Sequence, residues 1–230
     1  HVKQLGQASS SMTAIKTIGI LGAGQLGRMI AVAAAQMGIR AHIFAPDAKD
    51  SPAAEVAQTF TQANYDDADA LAAFGRSIDA VTSEFENVPA TTMDILAAFC
   101  PVSPGHDALH LAQNRLREKT LAAHLGIQTP SFWVARSADD LASALCDLKG
   151  NGVLKTTEQG YDGKGQMRVA TGDDATSHWN DMNTNEAILE SFIDFTAEVS
   201  FLVWRDAKGQ TGVFPAAQNT HKNGLLATSI

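Results

Sequence analysis

The sequence has 230 residues, 45% hydrophobic and 18% charged, which suits one large domain or two small ones and excludes a disordered chain. Lys plus Arg number 17 against 25 Asp plus Glu, a net charge of −8. Broad nucleic-acid binding needs many cations on phosphates and is excluded; a local phosphate site built from backbone amides and one or two lysines is not. No apolar run reaches transmembrane length. His1–Lys16 lacks the apolar stretch of a signal peptide, so a cytoplasmic protein without membrane partners is expected. Cys100 and Cys146 lack metal-ligand spacing. A disulfide is possible in principle, and two ordinary core thiols in a reduced protein is the favoured reading.

Residues 1–16 read as a tag or loose extension outside the fold. From there the sequence predicts a strand over Thr17–Leu21, the turn Gly22-Ala23-Gly24-Gln25-Leu26-Gly27, and a helix over Leu26–Met37 ended by Gly38. A strand over Arg40–Phe44, a helix over Asp66–Gly75, a strand over Ala80–Ser83 and a helix over Ala90–Phe99 follow. Alternating strands and helices imply a parallel sheet with helices on both faces, a Rossmann-like α/β domain over 17–128. Asn114–Leu125 reads as a further helix, and Thr129-Pro130 as the domain boundary.

Over 129–230 the pattern becomes α+β. Helices are expected at Ala138–Leu148 and Asp173–Met182, and strands at Gly152–Thr156, Gln166–Ala170 and Ala187–Glu190. Glu198–Trp204 and Gly212–Ala216 read as hairpin partners across Asp206-Ala207-Lys208-Gly209.

Two glycine-rich stretches stand out. Gly22-x-Gly24-x-x-Gly27 follows a strand and opens a helix, the setting of a dinucleotide fingerprint. Asp47 comes after Pro46, past the strand where a ribose ligand belongs, and no hydride-transfer segment follows. A phosphate at the helix N-terminus is favoured over glycines that serve packing alone, and a dinucleotide is least favoured. The second stretch, Gly160-Tyr161-Asp162-Gly163-Lys164-Gly165-Gln166, lies between two strands and lacks a Walker ending. Its glycines suit a loop that closes over a triphosphate, with Lys164 neutralising phosphate charge. Asp-Gly also suits an ordinary hairpin turn. Lys155, on the preceding strand, either meets an anion or snorkels to water.

These stretches, with Glu84-Phe85-Glu86-Asn87-Val88, Asn114-Arg115, Lys155-Thr156 and Asn219-Thr220-His221-Lys222-Asn223-Gly224, stand in the order found in N5-carboxyaminoimidazole ribonucleotide synthetases. The resemblance to this ATP-grasp family runs from about Thr17 to Ile230. It implies a pre-ATP-grasp domain followed by an ATP-grasp region incomplete at the C-terminus. It also implies ATP and Mg2+ as cofactors, with 5-aminoimidazole ribonucleotide and bicarbonate joined through carboxyphosphate. A homodimer in purine biosynthesis is the implied assembly and role.

By the same resemblance, Arg115 and Lys155 contact ATP phosphates and Gly160–Gln166 close over them. The backbone of Glu190, Ser191, Phe192 and Ile193 reads adenine, Glu198 holds the ribose and His221 lies near the phosphates. Tyr161, Asp162 and Lys164 also face bicarbonate and the imidazole. Gly24, Gln25, Leu26, Arg28, Glu84, Glu86 and Asn87 form the ribonucleotide side. Two departures stand out. Thr157-Glu158-Gln159 is less basic than usual, and the magnesium ligands of the family fall past Ile230, so no metal residue is assigned. Rival readings are a formate-using purine transformylase or biotin carboxylase relative, a nicotinamide-binding Rossmann oxidoreductase, and a non-catalytic nucleotide-binding fragment.

Overall fold

The computed structural model describes residues 15–158, 160, 164–222 and 225–230. It divides into two compact units, one up to Gln113 and one from Asn114 onward.

The first unit runs β1 (Thr17–Leu21), α1 (Gln25–Gln36), β2 (Arg40–Ala45), β3 (Thr59–Gln62), α2 (Ala68–Arg76), β4 (Ala80–Ser83), α3 (Ala90–Ala97) and α4 (His106–Ala112). Its sheet has the order β3-β2-β1-β4, and every pairing is parallel. Successive strand residues face opposite sides. Ile20 and Ile43 therefore enter one core with Ala31, while Leu21 and Phe44 enter another with Leu71, Phe74, Met93 and Leu96. Both faces are covered, as the alternating pattern predicts. Two elements of this unit escaped the sequence reading, as did β5, β12 and β13 (Phe132–Ala135, Ala217–Lys222 and Leu225–Ser229) in the second. β3 is an edge strand with no buried residue, and α4 buries only Leu109, so neither carries an apolar pattern.

The second unit runs α5 (Arg115–His124), β5 (Phe132–Ala135), α6 (Ala138–Asp147), β6 (Asn151–Thr156), β7 (Gln166–Ala170), α7 (Ala175–Met182), β8 (Ala187–Ser191), β9 (Glu198–Ser200), β10 (Val203–Arg205), β11 (Thr211–Val213), β12 (Ala217–Lys222) and β13 (Leu225–Ser229). β5-β8-β6-β7 form an antiparallel sheet. One of its faces packs Leu154, Val169 and Leu189 against Leu141, Leu145 and Leu148 around α6. Trp133 and Trp179 border that core, whereas Trp204 is 47% exposed.

The structure corrects three expectations. The units part at Gln113/Asn114 rather than Thr129-Pro130, because the start of α5 is tied to Thr156, Glu158 and Gly160 of the second unit. Glu198–Trp204 is two strands, not one. The hairpin joins β10 to β11, while β9 pairs with β12, which in turn pairs with β13. Cys100 is a buried free thiol as expected, but Cys146 is exposed on α6 rather than in the core.

Candidate functional site

In the second unit, the face of the β5-β8-β6-β7 sheet opposite its apolar core is charged. Lys155 and Val153 share that face by strand alternation. Register sets Ile188 beside Lys155, and Glu190 beside Val153 on one edge and Phe132 on the other. Lys155 and Glu190 are thus diagonal neighbours, and Lys155 Nζ lies 3.0 Å from Glu190 Oε2. Glu190 is the one buried carboxylate among the described residues. A carboxylate withdrawn from water needs cationic partners. Its other oxygen, Oε1, lies 3.3 Å from Lys119 Nζ on α5.

Arg115 braces the base of the glycine-rich loop. Its guanidinium donates from Nη1 to the Thr156 carbonyl at 2.7 Å and from Nη2 to the Gly160 carbonyl at 3.0 Å. Its backbone N–H donates to the Thr157 carbonyl at 2.9 Å. A Cβ at position 160 would sit 2.7 and 2.9 Å from the guanidinium nitrogens, so a side chain there would push the guanidinium aside. Gly165, at φ +67°, accepts the Thr156 N–H at 2.9 Å and closes the loop base.

Asn114 caps α5, its side-chain oxygen accepting the N–H groups of Leu116 and Arg117. Its Nδ2 donates to Glu158 Oε1 at 3.0 Å, and Arg117 Nη2 meets the same oxygen at 2.8 Å. The acidic approach to the loop therefore carries its own basic partner. A cleft of about 710 Å³ opens at the loop base between Thr156–Glu158 and residues 183–186. Its charged lining residues are Glu158 and Glu186, so it does not suit an anion.

A second grouping lies on β9 and β12. Glu198 and Asn219 are paired across the ladder. Asn219 Nδ2 donates to Glu198 Oε1 at 3.1 Å and to Ser200 Oγ, and His221 Nδ1 stands 3.6 Å from the same glutamate oxygen. Ser229 Oγ donates to Asn219 Oδ1 at 2.7 Å.

The first unit gathers Gly24 and Glu84. Glu84 Oε1 accepts the Gly24 N–H at 3.0 Å, so the N-terminus of α1 is met by the chain's own carboxylate. A Cβ at Gly22, whose φ is +110°, would lie 2.5 Å from that oxygen, and one at Gly27 would lie 3.0 Å from the Gly22 carbonyl. The positive φ and the close approach of Glu84 thus account for Gly22, and the Gly22 carbonyl accounts for Gly27, without a dinucleotide; a Cβ at Gly24 would meet Glu84 only at an ordinary 3.4 Å. Burial raises the Glu84 carboxyl above its usual range, against the lowering effect of the Gly24 N–H. Gln25, Leu26 and Glu86 are exposed and Asn87 is half-buried. Arg28 turns to Glu55 at 2.6 Å. The Glu86 carbonyl accepts from Gln113 Nε2 at 2.7 Å.

Ser191 N–H donates to Ser131 and Phe192 N–H to Asn151, both at 2.9 Å, so these two amides of the expected adenine segment are already used within the sheet. Gln166 begins β7 opposite Lys155, and Lys164 is exposed. Tyr161, Asp162 and Gly163, with Gln159, Asn223 and Gly224, lie outside the described residues. Among the described residues no group of three or more His, Cys, Asp or Glu is placed to hold a metal ion, and no helix is long and apolar enough to cross a membrane.

Residues 15–113 match the ribonucleotide synthetase preATP-grasp domain, and residues 120–230 match the ATP-grasp domain. The chain thus carries a pre-ATP-grasp domain followed by an ATP-grasp region. Among its relatives is the N5-carboxyaminoimidazole ribonucleotide synthase of Brucella melitensis biotype 1, 44% identical over 215 residues that cover 93% of this chain and 59% of that protein. Similar solved structures include an N5-carboxyaminoimidazole ribonucleotide synthetase in its ADP complex, with TM-score 0.87 and 39% identity, covering 93% of this chain and 56% of that one. The N5-carboxyaminoimidazole synthetase of Staphylococcus aureus, complexed with ADP, superposes with TM-score 0.86 at 35% identity, covering 92% and 56%. The chain spans less than three-fifths of the length of these relatives and structures.

Within the second unit two residues that the sequence reading assigned no role join the groupings. Lys119 lies four positions after Arg115, one helical turn along the same face of α5. Asn219 lies two positions before His221 on the same face of β12. Those spacings are the signal from which both could have been found.

Proposed function

We propose that this chain is the nucleotide-binding part of an ATP-dependent carbon–nitrogen ligase that carboxylates 5-aminoimidazole ribonucleotide with bicarbonate, yielding N5-carboxyaminoimidazole ribonucleotide, ADP and phosphate. The observation that carries the nucleotide reading is the charged sheet face beside an arginine-braced glycine loop. Its donors fit a polyphosphate: Lys155 points across the sheet, and the loop with Lys164 begins at its end. ATP supplies the phosphoryl group that activates bicarbonate.

In this reading Lys155 neutralises phosphate charge, which is the main protein contribution to phosphoryl transfer. Arg115 keeps the loop base in place, so its effect on the phosphates runs partly through Gly160. Tyr161, Asp162, Gly163 and Lys164 would exclude water over the reacting groups. Glu198 suits a ribose diol, because a carboxylate accepts two hydrogen bonds, and Asn219 and His221 hold it in place. Residues 190–193 would border adenine through groups other than the Ser191 and Phe192 amides. Gly24, Gln25, Leu26, Arg28, Glu84, Glu86 and Asn87 are proposed for the ribonucleotide, with the exposed Gln25 and Leu26 as its nearest partners. Magnesium is proposed as the companion of the phosphates, but the described residues do not form a site for it and no step is assigned to it. A cytoplasmic homodimer that binds neither nucleic acid nor membrane completes the reading.

The test is phosphate release from ATP by the full-length protein. Release should require both 5-aminoimidazole ribonucleotide and bicarbonate. Release that ignores either one, or that follows formate or a biotin acceptor instead, overturns the assignment.

A further inference from the structure

Helix α5 buries none of its residues. A surface helix ordinarily docks through an apolar stripe. α5 docks instead through Asn114 and Arg117 on Glu158, Arg115 on the Thr156 and Gly160 carbonyls, and Lys119 on Glu190. Arg115 and Lys119, one turn apart, aim two cations at the sheet where packing alone would favour leucines.

We propose that Lys119 is a positioning residue that gives Glu190 a standing counter-charge, so that Lys155 can leave Glu190 for the phosphates of a nucleoside triphosphate. The inference rests on the nucleotide reading above. Glu190 offers one oxygen to each lysine, 3.0 Å to Lys155 and 3.3 Å to Lys119, and its side chain is only 9% exposed. The three charges sum to +1, and that excess is what an approaching anion meets. Lys119 is the more buried cation, 15% exposed against 23% for Lys155, and it stands 5.7 Å above the Phe132 ring. It is held in place, while Lys155 is carried on the strand that enters the loop.

Without Lys119, the Lys155–Glu190 pair is neutral, and drawing Lys155 away strands a buried carboxylate. Removing one partner of a buried charge pair leaves the other uncompensated. Lys155 would then be retained by Glu190, and phosphate binding would weaken although Lys119 itself touches no phosphate.

The experiment is calorimetric ATP and ADP binding to the full-length protein and its variants, with folding checked by urea unfolding. Lys119→Met should weaken both nucleotides roughly tenfold or more. Lys119→Arg, which restores the charge, should bind within about threefold of the parent. In a Glu190→Gln background, the same Lys119→Met change should cost little, because no carboxylate competes for Lys155. That double variant carries no stranded buried charge and keeps the comparison available should Lys119→Met fold poorly. Unchanged binding by Lys119→Met overturns the proposal, as does an equal loss in both backgrounds, which would mark Lys119 as a direct ligand or a packing residue. A parent protein that binds no ATP overturns the nucleotide reading and this proposal with it, whereas ATP binding indifferent to Lys119 overturns this proposal alone.

Discussion

Gly152→Ala puts a methyl group between β6 and β8 where the strands leave no room for one. The new Cβ would stand 2.9 Å from the Glu190 carbonyl oxygen and 3.0 Å from both Leu148 Cδ2 and Leu189 Cδ1. The first contact is backbone, and both leucines are at most 1% exposed, so none can yield to solvent. An extra methyl in a filled core costs about 1–3 kcal/mol. The lower entropy of the unfolded chain returns about 0.4–1 kcal/mol. A net loss centred on roughly 1.3 kcal/mol follows, and with a central urea slope of about 2 kcal/mol/M the midpoint should fall by roughly 0.6 M. Trp133, Trp179 and Trp204 all lie in the second unit, so tryptophan fluorescence during urea unfolding reports that unit alone. Because the crowded oxygen belongs to Glu190, the variant should also bind ATP less well. A midpoint equal to or above that of the parent would refute the close-packing argument.

Asn114→Ala removes the cap of α5 and the link to Glu158; it should cost about 1–2 kcal/mol in the same urea experiment. Glu84→Gln should raise the melting temperature at neutral pH and not at acid pH. The folded carboxyl titrates above its unfolded value, so the native state binds the extra proton and stability falls as pH rises through that window; a neutral side chain escapes the loss. Asp79→Asn should act in the opposite sense. Asp79 accepts the Lys16 and Thr17 N–H groups, both at 2.8 Å, and these lower its carboxyl below the usual range. Its contribution is present above the unfolded value and lost as pH falls through the folded one, so the variant's acid unfolding limb should be shallower than the parent's.

Much of the architecture could be read along the chain because its signals are local. Ile18-Gly19-Ile20-Leu21 and Gly152-Val153-Leu154 mark buried strands by apolar runs, and Asn114 marks a helix start by a cap bonded two and three residues on. β3, α4 and the change of partner between β9 and β10 left no such mark, because an exposed edge, a sparsely buried helix and a ladder's choice of neighbour depend on what lies across space.

The candidate site divides in the same way. Lys155 and the glycine loop stood out by residue type and spacing. The Gly22–Gly27 turn invited a phosphate, yet the oxygen on its amide is that of Glu84, sixty residues away in sequence. Glu190 was expected to serve through its backbone, and its side chain proved to be a buried charge shared by two lysines. By itself the sequence determined most of the elements with buried apolar faces and which residue types could meet a nucleotide, since propensity, capping and turn geometry act over a few residues. Only the tertiary structure decided which charge faces which, because a buried carboxylate takes its partners from whatever the folded chain brings within about 4 Å.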